Sequence, residues 1–113
     1  VPVDGSHWLS MQEVLDGLRQ NGHEIVVVAP EVSLHIKPTK NFIVKMYSVP
    51  FTQEELDHVY WKMSQNVFQE GSFLERFLTI YEQLKNTSAM FLSTCTYLLY
   101  NKELVRYLEE SKF

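Results

Sequence analysis

The stretch HEIVVVAP, residues 23–30, is the part of the sequence that most clearly decides the fold. It contains four consecutive β-branched residues, from Ile25 to Val28, with no polar residue alternating between them. A strand that is apolar on both sides is typical of a parallel sheet covered by helices on both faces. Pro30 ends the run, because proline cannot donate a hydrogen bond to a strand ladder. The stretch therefore predicts a doubly covered parallel strand.

The segment before this strand predicts another strand and a helix. Residues 1–4 (VPVD) have the character of a strand end, and Gly5 allows a tight turn ahead of a histidine. Residues 10–13 (SMQE) have the form of a capping box, and apolar residues recur at helical spacing at Met11, Val14, Leu15 and Leu18. Gly22 stands where a helix needs a left-handed residue after its end. We expect a right-handed βαβ unit, the opening of a doubly wound α/β domain.

The segment after residues 23–30 predicts one more strand and four more helices. Residues 42–49 (FIVKMYSV) form the third strand. One helix begins after Thr52, whose TQEE sequence is a second capping box, and the next begins after Ser72. Two further helical patterns cover residues 89–100 and 102–111. The total is three strands and about five helices. Because a doubly wound sheet usually has about four to six strands, we expect these residues to be the first part of a larger domain.

The composition excludes several classes of protein. The 113 residues are 45% hydrophobic and 21% charged, with a formal net charge of −4, which indicates one globular unit. No cluster of Lys and Arg is present to neutralise phosphates, so a nucleic-acid partner is not expected. No apolar run reaches the ~18 residues of a membrane span. Cys95 is the single cysteine, and its apolar neighbours predict an inert thiol in the core.

His7 is the candidate for chemistry. A neutral imidazole accepts a proton near physiological pH. Ligands of open α/β sheets bind at the carboxyl ends of strands, where the chain leads into the next helix. Position alone leaves a structural or solvent-facing role open, and Asp4 is a candidate either to orient the ring or to form the turn. No two histidines have a metal-ligand spacing such as H-x-x-x-H, so no metal site is predicted. The first turn also lacks the G-x-G-x-x-G pattern of a dinucleotide cofactor site.

Two stretches carry a resemblance to a known family. Residues 3–9 (VDGSHWL) and 22–31 (GHEIVVVAPE) strongly resemble the start of the mature UDP-glucuronosyltransferases, most closely family 1, the bilirubin and phenol type. The resemblance covers essentially the whole chain, with further similar stretches at residues 47–51 (YSVPF), 72–74 (SFL) and 101–104 (NKEL). It implies that residues 1–113 are part of the Rossmann-like, acceptor-binding amino-terminal domain of a GT-B glycosyltransferase.

The resemblance also implies a reaction. An enzyme of this family transfers glucuronic acid from UDP-glucuronic acid to a hydroxyl group of a small lipophilic acceptor, with inversion at the anomeric carbon. His7 in the DGSHW motif is then the general base, and Ser6 and Trp8 are assigned to substrate binding. No cofactor is implied beyond the co-substrate, which another domain binds. The family's orienting Asp belongs to a T-D-P motif that would follow Phe113, so these residues alone are expected to be inactive.

Location and partners follow from the same resemblance. It implies the lumenal side of the endoplasmic reticulum, membrane attachment only through a carboxyl-terminal helix outside these residues, and homo- or hetero-oligomers with related transferases. The N-x-S triplet at Asn86 is then a candidate glycosylation site. Two alternatives remain open: a non-catalytic truncated module that associates with full-length subunits, and an unrelated α/β binder of small ligands.

Overall fold

A computed structural model of the chain describes residues 5–33 and 40–113. In this part of the chain the elements follow one another as four helices around one pair of strands. They are α1 (Gly5–Gln20), β1 (Val26–Pro30), β2 (Ile43–Tyr47), α2 (Gln53–Val67), α3 (Phe73–Tyr100) and α4 (Lys102–Ser111).

The two strands confirm the prediction of a parallel sheet. β1 and β2 pair in parallel, with Val26 opposite Ile43 at one end and Pro30 opposite Tyr47 at the other. The strands predicted at residues 23–30 and 42–49 are therefore both present, each a little shorter than the pattern indicated. The third predicted strand, at residues 1–4, lies outside the described residues.

α1 covers one face of the sheet. Trp8 from the first turns of α1 packs with Val27 and Ala29 of β1 and with Phe42, which precedes β2. The rings of Trp8 and Phe42 meet edge to face, with centroids 6.2 Å apart and planes at 76°. Such an arrangement suits the quadrupoles of two aromatic rings. Leu15, two turns further along α1, adds to the same cluster.

α4 and the end of α3 cover the opposite face. Tyr47 and Val49, two residues apart, point to this side and pack against Leu104 of α4 and Leu98 of α3. Lys45, also on this side of β2, places its Nζ 4.4 Å from the centre of a tyrosine ring of α4. Helices thus contact both faces of the strand pair, as the unbroken apolar run in residues 23–30 predicts, while Ile43 and Met46 of β2 remain 40% and 43% exposed.

Tyr47 carries a polar atom into this core. Its side chain is only 1% exposed, and its hydroxyl has no hydrogen-bond partner among the described residues. Burial, with a smaller contribution from nearby Cys95, raises the pKa of Tyr47 to about 12. The phenol is therefore neutral at every physiological pH, which is the form that a low-dielectric core tolerates.

The start of α1 differs from the prediction. The helix begins at Gly5, so the SMQE stretch is not a capping box but lies inside the helix. Ser10 donates its hydroxyl proton to the carbonyl oxygen of Ser6, one turn earlier, at 3.2 Å. A serine inside a helix makes this bond because no free N–H remains there for it to cap. The end of α1 is as expected, since Gly22 adopts the left-handed conformation with φ of 88°.

The capping box predicted at Thr52 is confirmed, and the helix start predicted after Ser72 proves to have one as well. Thr52 caps α2, where its hydroxyl accepts from the N–H of Glu55 and the Glu55 carboxylate accepts from the N–H of Thr52. Ser72 and Glu75 make the same reciprocal pair at the start of α3. The hydrogen bonds from Ser72 lower the pKa of Glu75, because they favour the ionised carboxylate. This cap is therefore complete above the ordinary pKa of a glutamate and weakens as the pH falls through the lowered value.

The helix count is four in the described residues, not five. The patterns predicted as separate helices, one starting after Ser72 and one over residues 89–100, are a single helix of 28 residues, α3. No proline or glycine interrupts the sequence between them. Thr94 and Thr96 are accommodated by donating their hydroxyl protons to carbonyl oxygens four residues earlier.

α2 and α3 form a hairpin that is much longer than the strands of the sheet. A helix of 28 residues is about 42 Å long, whereas a strand of 5 residues spans about 17 Å. The molecule is accordingly elongated, with extents of 55 × 30 × 20 Å. Aromatic residues near the connection between the two helices are strongly exposed, among them Phe68 at 84% and Phe73 at 85%.

The prediction that Cys95 is buried is wrong. Cys95 is exposed, and its neighbour Thr94 occupies the inward position of that turn at 5% exposure. Successive residues of a helix point about 100° apart, so two neighbours on α3 differ in burial. The apolar neighbourhood in the sequence did not reveal which side of α3 the cysteine occupies.

The exposure of Cys95 gives a direct test. We expect a maleimide to alkylate Cys95 in the folded chain at a rate close to that in the urea-unfolded chain, because no packed layer covers the sulfur. Reaction is followed by mass spectrometry, with Cys95→Ala as the background control. Alkylation that requires prior unfolding would contradict the exposed position.

The cap at Thr52 is expected to contribute measurably to stability. Replacing Thr52 with Ala removes the acceptor for the Glu55 N–H and should lower the free energy of unfolding by about 1 kcal/mol, measured by urea denaturation. Thr96→Ala is the matched control, because Thr96 is also exposed but lies inside α3. Its effect should stay within about 0.5 kcal/mol. Equal losses in the two variants would mean that the cap does not stabilise α2.

Candidate functional site

The first turn of α1 presents the residues that the sequence singled out. Gly5 is buried at the start of the helix, while Ser6 and His7 are exposed. The sequence predicted that His7 lies just ahead of the helix, but His7 lies within it. An exposed imidazole at a helix start can reach a bound molecule and accept its proton.

Trp8 faces the other way. Its side chain is 4% exposed and forms part of the cluster between α1 and the sheet. The family resemblance assigns Trp8 to substrate binding, and that role stays a prediction. Trp8 fixes the rotation of α1 about its axis. The preceding residue, His7, therefore points away from the core. The DGSHW motif thus combines an outward histidine with an inward anchor.

The candidate orienting carboxylate and the other three histidines are only partly described. Asp4, the candidate to orient the ring, and His35 lie outside the described residues. His23 and His58 are both exposed, on the loop after α1 and on α2 respectively. Across residues 5–33 and 40–113, no group of three or more His, Cys, Asp or Glu side chains is placed to hold a metal ion.

The carboxyl ends of the two strands lie side by side. The N–H of Glu31, just after β1, donates to the carbonyl oxygen of Tyr47 at the end of β2, at 3.0 Å. Parallel strands end at the same edge of a sheet, and this edge is the usual ligand site of open α/β folds. The chain continues from this edge into α2.

An open groove of about 690 Å³ lies beside this edge, at the start of α2. Its lining includes the apolar residues Pro50, Phe51 and Met90 and the polar residues Glu55 and His58. The Glu55 carboxylate is engaged in the helix cap, and the His58 ring stacks on Trp61 with centroids 6.3 Å apart. The groove therefore has both apolar and polar side chains in its lining, which suits a small organic molecule.

The sequence did not identify this groove. Phe51 and Met90 are 39 residues apart in the chain. They line the same groove because α3 folds back along α2. No short motif could report such a contact.

The candidate glycosylation site is on a helix. Asn86 and Ser88 are both exposed, but they lie in the middle of α3 rather than in a loop. Exposure is what a glycan requires, whereas acceptor triplets are usual in surface loops. Glycosylation at Asn86 stays a prediction.

None of the described helices combines enough residues with enough apolar character to cross a membrane.

Comparisons with known proteins place the chain in one family. The family model described as UDP-glucoronosyl and UDP-glucosyl transferase matches residues 1–113. Human UDP-glucuronosyltransferase 1A1 is 48% identical over 113 residues, the rat 1A1 protein 43% over 113, and human 1A3 41% over 113. Each alignment covers 100% of this chain and 21% of the relative, so the chain spans about a fifth of their length. No solved structure matches the chain. The match over every residue shows that the chain belongs to the UDP-glucoronosyl and UDP-glucosyl transferase family.

Proposed function

We propose that this chain forms the acceptor-binding side of an inverting glycosyltransferase. The reaction moves glucuronic acid from UDP-glucuronic acid to a hydroxyl group of a small lipophilic molecule. The observation that carries the proposal is the match of residues 1–113 to relatives that are named UDP-glucuronosyltransferases, at 48% identity for the human 1A1 protein. Family membership also removes one alternative, an unrelated α/β ligand binder.

His7 is the general base in this proposal. A phenol or alcohol is a weak nucleophile until its proton is removed, and a neutral imidazole can take that proton near pH 7. The acceptor oxygen then forms a bond to the anomeric carbon while the bond from that carbon to the UDP oxygen breaks. Support comes from the exposed position of His7 in the first turn of α1.

Ser6 and Trp8 have different parts in the same proposal. The exposed Ser6 is adjacent to His7 and can offer its hydroxyl to the acceptor. Trp8, packed against Phe42, is a positioning residue that holds the first turn of α1 in place. The apolar groove beside the strand ends is suited to the lipophilic part of the acceptor.

The co-substrate is assigned to residues outside this chain. The 113 residues contain no glycine-rich loop for a diphosphate, and they span 21% of the relatives' length. We therefore expect the 113 residues alone to be inactive. No cofactor or metal enters the reaction as proposed.

Cellular location is also a proposal. The family resemblance favours the lumenal side of the endoplasmic reticulum, attachment through a carboxyl-terminal helix outside these residues, and oligomers with related transferases. The remaining alternative is a non-catalytic module that associates with full-length subunits. Its distinguishing property would be binding to such subunits without any requirement for His7.

The role of His7 is tested in a chimaera in which these residues replace the matching segment of human UDP-glucuronosyltransferase 1A1. His7→Gln should lower glucuronidation of a phenol by roughly two to four orders of magnitude, since the proton acceptor is lost. A tertiary amine has no proton to remove, so its rate should fall much less. His23→Gln, at another exposed histidine, is the matched control and should retain activity.

The comparison of the two acceptors decides the role. Equal losses on the phenol and on the amine would mean that His7 positions substrate or supports the fold, and is not the base. A large loss in His23→Gln would show that the assay reports stability rather than chemistry.

A further inference from the structure

A half-open cleft lies between α2 and α3 on the hairpin. Its volume is about 330 Å³, and small-molecule sites begin at about 300 Å³. Lys62 of α2 and Glu82 of α3 contribute charged groups to its lining, and Val59 and Leu78 contribute hydrocarbon. The lining therefore offers hydrogen-bond donors, acceptors and apolar surface together.

The acceptor asparagine of the N-x-S triplet lines the same cleft. Asn86 is exposed on α3, and helical side chains lean towards the start of their helix, so its amide extends towards the turn that carries Glu82. The Asn86 side chain makes no hydrogen bond with the residues that the structure describes. Asn66, on the α2 side of the cleft, instead uses its Nδ2 to donate to Gln83 at 2.7 Å. The amide nitrogen of Asn86 is therefore available for modification, whereas that of Asn66 is engaged.

A sugar ring matches the chemistry of this lining. N-acetylglucosamine has hydroxyl groups that both donate and accept, while one face of its ring and its acetyl methyl group are hydrocarbon. The hydroxyl groups can pair with the Lys62 ammonium and the Glu82 carboxylate, which are both exposed. The hydrocarbon face can cover Leu78, which is 52% exposed. The lining thus favours a neutral, hydroxylated ligand that also has an apolar face.

We propose that Asn86 carries an N-linked glycan whose first N-acetylglucosamine occupies this cleft and braces α2 against α3. In the linking step, Nδ2 of Asn86 forms a bond to C1 of the sugar and releases one proton. The bond from C1 to the diphosphate of a lipid-linked oligosaccharide donor breaks at the same time. Attachment requires the lumenal location proposed above, but it is independent of His7 and of the transfer reaction.

Occupancy is tested on the 113-residue chain, secreted from cultured cells behind a cleavable leader. The leader imposes entry into the secretory pathway, so a failure here is distinct from a failure of the proposed location. Asn86 begins the one N-x-S/T triplet of the sequence. After an endoglycosidase has trimmed the glycan to its first sugar, mass spectrometry should find one N-acetylglucosamine on the unchanged chain and on Ser88→Thr. Ser88→Ala should carry none, because the triplet needs a hydroxyl at its third position.

The position of the sugar is read from the trimmed chain by NMR and by thermal unfolding. We expect nuclear Overhauser contacts between the acetyl methyl group and the side chains of Val59 and Leu78. The melting temperature should be higher by roughly 2–4 °C than that of the same chain made in bacteria without the sugar. A shift of this size is what one modest stabilising contact gives in a domain of this length.

Two leucines of α3 provide matched variants. Leu78→Ser removes part of the apolar wall, so the Overhauser contacts and the gain in melting temperature should both be lost. Leu74→Ser is the control, because Leu74 is also exposed, one turn earlier on α3, but does not line the cleft. It should keep both.

An unmodified Asn86 in the secreted chain would overturn the proposal, and so would a linked sugar without contacts to the cleft. An unchanged melting temperature would overturn the bracing of α2 against α3. Equal effects of Leu74→Ser and Leu78→Ser would mean that the sugar does not depend on the cleft. Should a variant fail to fold, the comparison of the unchanged chain with and without the sugar still decides.

Discussion

The parallel pairing of β1 with β2 is the interaction on which the rest of the structure depends. Both faces of this pair are apolar, so each must be covered, and the chain supplies α1 for one face and α4 with the end of α3 for the other. The burial of Trp8 on the first face sets the rotation of α1, and with it the outward direction of His7. The position of the candidate base His7 therefore depends on the packing of Trp8 against the sheet.

Sequence signals were reliable for features that depend on residues close together in the chain. The unbroken apolar run predicted a strand buried on both faces, Thr52 and Ser72 predicted helix starts, and Gly22 predicted a left-handed turn. The same reasoning failed at Ser10, because the S-x-x-E pattern of a capping box also occurs inside helices. It failed at Cys95 as well, since which side of α3 is buried depends on contacts with the sheet.

The site was predicted from one motif and completed by contacts that no motif contains. The DGSHW stretch singled out His7, and its role as a base is a proposal. The groove at the strand ends is lined by residues before and within α2 together with Met90 of α3. It could not be anticipated, because the spacing of apolar residues gives the face of each helix but not the partner that it meets.

Native-state hydrogen exchange of the 113-residue chain tests the central claim most directly, namely that the doubly covered strand pair holds the fold together. The account predicts that the amides of the β1–β2 ladder exchange most slowly, through global unfolding alone, while those of residues 68–72 at the hairpin connection exchange fastest. Slow exchange confined to α2 and α3, with rapid exchange in both strands, would contradict it.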